Sequence, residues 1–312
     1  MPRTHNPYQG CHAATMRFPA EPDSPTAYLV VAGHAVLIGK QPDGDSVRFQ
    51  AADPALLRQL EHGDRVAPSA DGTVQLRFDG VDAPELHYQG HAQPQGNTAR
   101  DSLLAHLGFT ALGYAADRVT VTAATPLTVP LVIMSRMVEV NGRPVSVVHV
   151  GDAAVELSAA SGSRVELTGA LLGRSVNAWE VSTGVVYPLL YTSTAVQVRA
   201  TIAGLGDEAR QQRLGVWSAD SSAEFALPGV SAVGPGGALI FPKLFRRAVD
   251  YLRRRSSPEQ TLPAWLSAHA DTEDDQVLVG GSAARPLHTL LQQTGDVISF
   301  DPDLLDLVFV ER

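Results

Sequence analysis

Residues Val74–Tyr88 read VQLRFDGVDAPELHY. Val74, Leu76 and Phe78 alternate with Gln75, Arg77 and Asp79, the period-two pattern of a strand with one buried face. Gly80 interrupts the run, and an isolated strand glycine marks a bulge or a close backbone approach. The chain then delivers Asp82, Ala83, Pro84 and Glu85 to a turn. A cation on the strand, an oxygen donor at its end and a carboxylate just beyond suit metal-assisted phosphodiester chemistry.

Four further strands surround this one: Ala27–Leu37, Ser46–Ala51, Arg118–Ala123 and Val145–Val150, with the central run spanning Thr73–Val81. All are rich in valine. Helices are expected at Asn97–Leu107, capped by Gly108, at Asn177–Thr183, ending at Gly184, and at Ala195–Leu214, ending at Gly215. Gly204 and Gly206 weaken the last and could split it. Five short strands with a helix inserted before the last two predict a mainly β fold with helices, a small closed OB-type barrel. Ala52–Gly72, Thr125–Val140 and Gly151–Arg174 read as insertions, the last as an added hairpin around VELSAASGSRVEL.

Residues 1–26 are rich in Pro, Ala and polar side chains and read as a flexible arm; 27–218 form the barrel domain. The texture changes after Ser218. The Gly/Pro-rich LPGVSAVGPGG (Leu227–Gly237) precedes a basic helix at Pro242–Arg255 and a helix at Leu262–His269. A strand at Gln276–Gly280, a helix at Arg285–Thr294 and strands at Val297–Phe300 and Leu307–Val310 complete a small α/β unit over 219–312. No motif assigns that unit a function.

The 312 residues are 44% hydrophobic and 18% charged, enough for a sizeable core. No apolar run is long enough to span a bilayer, so no membrane partner is expected. The first residues lack the apolar core of a signal peptide, and a cytoplasmic address is expected. One cysteine, Cys11, excludes an internal disulfide framework. A net charge of -9 excludes a generally basic nucleic-acid coat. A polyanion must then be held by a local positive site or through a metal.

Phosphodiester hydrolysis needs fixed positive charge aimed at the phosphate oxygens and a group to activate water. Arg77 and Arg143 are the candidate cations, because a guanidinium stays protonated and donates two parallel bonds. Asp45, in Asp43-Gly44-Asp45-Ser46, and Asp82 are the candidate ligands of a hard ion such as Ca2+, with the Ala83 carbonyl as a third donor. Glu85 is the candidate general base. Each also has an ordinary reading: Asp43-Gly44 as a turn, a strand arginine as a solvated face, Asn141-Gly142 as a hairpin turn, Asp82–Glu85 as a helix start. Only the ordered set points to catalysis.

The order DGDSV, LRFDGVDAPE, NGR and a final RLGVW resembles the staphylococcal nuclease-like (thermonuclease) family over roughly Ala27 to Trp217. The resemblance implies an OB-fold barrel and Ca2+-dependent cleavage of DNA and RNA that leaves 3'-phosphate ends. By position it implies calcium binding by Asp45 and Asp82, with Glu85 as catalytic glutamate and Arg77 and Arg143 as phosphate-binding arginines. Ala83 stands where the family often has threonine, and Asn141 where its turn has tyrosine. Tyr187 or Tyr191 would then supply aromatic stacking to a base; packing in the core or at the rim is the other reading. His87 and His91 are too few to hold a transition metal. The basic helix either extends a nucleic-acid track or is a solvated face paired with acids of its own unit. Barrels of this kind also serve as non-catalytic nucleic-acid or protein adaptors. The C-terminal unit is the expected surface for a protein partner or regulator.

Overall fold

The computed structural model of the chain describes residues 27–311; the arm expected over 1–26 lies outside them. β1 (Ala27–Val36) is almost wholly apolar because consecutive residues, and so both faces, are buried along most of it, and it is paired along both edges. β2 (Arg48–Ala51) lies antiparallel on one side. Two short 3-10 segments, Pro54–Gln59 and Gly63–Arg65, fill the first expected insertion. β3 (Val74–Gln75) and β4 (Arg77–Phe78) are halves of one extended stretch, and β5 (Val81–Asp82) follows a bend at Gly80. Gly80 has φ +80, a left-handed conformation that side chains disfavour, so the glycine makes a turn. α1 (Gly96–Leu107) comes next, and Gly108 caps it.

The expected strand at Arg118–Ala123 is not a barrel strand. β6 (Thr110–Tyr114) and β7 (Val121–Thr125) pair only with each other. The barrel strand is β8 (Thr128–Val138), inside the segment expected to be an insertion. β8 lies between β1 and β9 (Pro144–His149) and contributes Leu131, Val132, Ile133 and Met134 to the core.

The sheet runs β3–β2–β1–β8–β9–β4, and only Leu76 separates its two end members. Leu76 N donates to Val47 O (3.1 Å), while Asp79 N donates to Ser146 O (2.9 Å). One stretch thus bonds to β2 in its first half and to β9 in its second. The result is a nearly closed, six-stranded, barrel-like sheet, mixed because β4 and β9 are parallel.

His149, on β9, is fully buried, and burial pushes its imidazole down to about 4. An unfolded histidine titrates near 6.5. Between pH 6.5 and 4 the unfolded chain therefore takes up a proton that the folded one refuses. Stability is full above pH 6.5 and falls with pH, by up to about 3 kcal/mol from this group. Asp43 and Asp45, whose carboxyls are raised in the fold, have the opposite pH dependence, so the loss is read as the difference between wild type and His149→Leu in urea titrations from pH 7 to pH 4.

Beyond β9 the expected hairpin is replaced by α2 (Gly151–Ser158), whose Ala153, Ala154 and Leu157 are buried at helical spacing. Only β10 (Arg164–Glu166) is extended, and it pairs with the start of β1. α3 (Gly169–Gly173) and α4 (Val176–Thr183) follow. β11 (Tyr187–Pro188) pairs with β5, β12 (Leu190–Tyr191) comes next, and α5 (Val196–Gln211) runs unbroken through both glycines.

After residue 218 come β13 (Glu224–Ala226), α6 (Pro242–Arg254) and α7 (Leu262–Ala268). β14 (Gln276–Val279), β15 (Arg285–Pro286), β16 (Leu291–Thr294), β17 (Val297–Phe300) and β18 (Leu307–Phe309) complete the chain. The helix expected at Arg285–Thr294 is instead a 3-10 turn at Leu287–Leu290 leading into β16, whose edge β17 takes up.

The expected division at 218 runs through packed structure. β12 pairs in parallel with β18, and Val308 packs in the barrel core. Tyr187, Leu189, Val216 and Trp217 belong to the second core, with Phe241, Phe245, Trp265 and Phe309. Among the described residues no helix is long and apolar enough to cross a membrane.

Candidate active site

Gly44 brings the first acidic turn to the second. A Cβ there would lie 2.7 Å from the Cβ atoms of both Ala83 and Ala99, so only glycine lets the turn sit against the Ala83 loop and α1. Asp45 Oδ2 then accepts a hydrogen bond from Ala83 N (3.2 Å). Burial, with Asp43, Asp82 and Glu85 nearby, holds the Asp45 carboxyl well above the usual carboxylate range. Asp43 is raised by burial and by Glu85 and Asp82. The four acids thus crowd one another.

The bend from β4 to β5 is anchored from beneath. Asn177, fully buried on α4, donates to Asp79 O (2.9 Å) and Ser146 O (3.0 Å) and accepts from Val148 N (2.9 Å). Asp79 accepts from Thr194 Oγ1 (2.8 Å). Gln93 fixes the next loop: Glu85 N donates to its Oε1 (3.1 Å), and Gln93 N donates to Glu85 O (2.8 Å).

Arg77, on β4, and Arg143, in the turn just before β9, reach the same space. Arg77 lies over the Tyr191 ring (4.4 Å to its centroid) and 3.7 Å from Glu311. Arg143 Nε donates to Glu139 Oε1 (3.0 Å), and Asn141 Nδ2 donates to the other oxygen of Glu139 (2.8 Å). Asn141 thus orients the carboxylate that holds Arg143.

Asp45, Arg77, Asp82, Ala83, Glu85, Arg143 and Tyr191 all line one cavity of about 830 Å³. Tyr187 does not. It is fully buried, its hydroxyl donates to Asp220 (2.9 Å), and its ring meets Trp217 and Phe241 edge-on. Tyr187 is therefore a packing residue, not a stacking platform. Tyr191 keeps that role open. Burial raises its phenol, but Lys243, Arg77 and Arg246 more than offset this and leave it below the ordinary tyrosine value.

Sequence reasoning missed the residues that α6 contributes. Arg246 Nη1 and Nη2 donate to Asp82 Oδ1 (3.0 Å) and Oδ2 (2.9 Å), and Nη1 also reaches Glu85 Oε1 (2.5 Å). Lys243 Nζ donates to the Tyr191 hydroxyl (3.1 Å) and pairs with Asp275 (3.1 Å). The reading of a solvated face paired within its own unit holds only in part: Lys243 and Arg247 pair with acids of that unit, but Lys243 is buried and the acids of Arg246 belong to the barrel. The one available signal was the spacing of Lys243, Arg246 and Asp250 along a single helix face.

The donor chemistry suits a hard divalent ion: carboxylate oxygens, repelling one another, with a guanidinium cation already drawn in. Asp45 and Asp82 with the Ala83 carbonyl would hold such an ion, provided Arg246 gives way. Among the described residues no three His, Cys, Asp or Glu side chains are grouped to hold a metal. The two-carboxylate, one-carbonyl set does not require such a group. Comparison with models of known protein families finds no match, and comparison with curated proteins finds none either.

Proposed function

We propose that this protein is a metal-dependent nuclease built on an OB-type barrel of the staphylococcal nuclease-like kind, hydrolysing DNA, RNA or both with Ca2+. The observation that carries the proposal is convergence. Five side chains from three separate segments of the sequence, Asp45, then Arg77, Asp82 and Glu85, then Arg143, line a single cavity with Tyr191 beside them.

In this reading Glu85 takes a proton from water as the oxygen attacks phosphorus, in line with the departing 5'-oxygen, leaving a 3'-phosphate. Arg77 and Arg143 exchange their carboxylate partners, Glu311 and Glu139, for phosphate oxygens. Tyr191 offers its ring to a base once Arg77 has turned from it to phosphate. A bound Ca2+ would supply Lewis-acid charge to a phosphate oxygen. That charge matters because each cationic side chain lining the cavity is already paired with a carboxylate.

The test incubates the full chain with labelled single- and double-stranded DNA and RNA, with Ca2+ or with EDTA. Cleavage that EDTA abolishes is the expected result; no cleavage of any substrate with Ca2+ would defeat the proposal. The other reading is a non-catalytic adaptor. The pairing of Arg77, Arg143 and Arg246 with carboxylates favours it, and retardation of nucleic acid without cleavage would establish it. The C-terminal unit is the proposed surface for a regulator or protein partner, and a cytoplasmic location accords with this reading.

A further inference from the structure

We infer that Arg246 is a built-in occupant of the cation position, so that a divalent ion reaches the acidic cluster only by displacing its guanidinium. The inference rests on the metal-dependent reading above, but it concerns occupancy of the site rather than hydrolysis.

The geometry is specific. One guanidinium takes both oxygens of Asp82, the expected ligand, and one of Glu85, the expected base. These carboxylates are 5% and 13% exposed, so water screens the contact little. Burial acts against the charge of Arg246, but Asp82 and Glu85 outweigh it and keep the guanidinium protonated.

The contact is held in place from outside itself. Tyr88 Oη and Gln89 Nε2 donate to Asp250 on α6 (2.8 and 2.6 Å). Gln93 Nε2 donates to Ile240 O (2.7 Å), just before the helix, while its oxygen accepts from Glu85 N. These bonds dock α6 over the acidic loop whatever Arg246 does. Its neighbours are committed elsewhere: Lys243 to Asp275, Arg247 to Glu273 and Asp275.

A calcium ion takes carboxylate oxygens at about 2.3–2.6 Å. A guanidinium bonded to both Asp82 oxygens sets its own positive charge where the ion would sit, so the two cations compete for Asp82. Swinging the arginine side chain out frees Asp82 and Glu85 while the helix stays docked. The apparent cation affinity is then the intrinsic affinity reduced by the fraction of molecules with Arg246 swung out.

The experiment is calorimetric titration of the full chain with CaCl2, without nucleic acid, for wild type and Arg246→Gln. The expected result is affinity tighter by about tenfold or more in the variant, corresponding to an open fraction of one-tenth or less in wild type. Equal or weaker affinity, or no binding by either protein, would overturn the inference. A second measurement needs no variant. The Nε–Hε NMR signal of Arg246 in wild type should move on calcium saturation, and a signal that stays put at saturation would also overturn it. Hydrolysis is scored separately. If the variant binds calcium more tightly yet neither protein cleaves nucleic acid, the nuclease reading fails and the occupancy of the site by Arg246 stands.

Discussion

Glu85→Gln should lower calcium-dependent hydrolysis by about 10²–10⁴-fold, the range for loss of a general base. The amide is nearly isosteric, can still accept from Arg246, and leaves the Glu85 backbone bonds to Gln93 in place. Melting temperature and nucleic-acid binding should therefore change little while turnover collapses. Arg143→Ala should also lower turnover steeply, by removing transition-state charge. Steady-state rates at saturating calcium, beside retardation assays, check both. Full activity in Glu85→Gln would remove Glu85 from the chemistry.

Truncation after Ser218 should abolish cooperative folding, not merely regulation. The cut strips the cover from Tyr187, Leu189, Val216 and Trp217, all buried in the second core. Each large apolar side chain contributes about 1.5–3 kcal/mol when fully buried, so the loss is on the order of 10 kcal/mol. That matches the roughly 5–15 kcal/mol stability of a typical domain. It also removes β18, the parallel partner of β12. Thermal melts by circular dichroism and gel filtration of 27–218 would check this. A sharp transition within a few degrees of the full chain would mean two autonomous units.

Local patterns carried much of the barrel and the acidic half of the site. The alternation at Val74–Phe78 and the Asp-Ala-Pro-Glu turn are short-range features, and each forms as its residues dictate. The failures were tertiary. Thr128–Val138 contains Pro130, which argues against a strand paired on both sides. Pro130 faces His34 on β1 but lies before Val132, where pairing with β9 begins, so its missing N–H falls at an overhang. At Arg285–Thr294, Leu287, Leu290 and Leu291 have helical spacing, but the free edge of β17 takes Leu291–Thr294 as a strand. Short apolar runs are ambiguous in this way. Arg246 was hidden for another reason. Charge along a helix names a basic face but not the carboxylates, about 160 residues upstream, that the fold sets against it.

The seam at Leu76 has a kinetic meaning. Closing the barrel requires Val74 to find Phe49 on one side and Arg77 to find Val145 on the other. Both are non-local encounters, and chain entropy is lost before either contact repays it. Arg77 sits on the seam and Asp82 just past it. A chain in which the seam is still open therefore does not yet gather the candidate groups into one cavity.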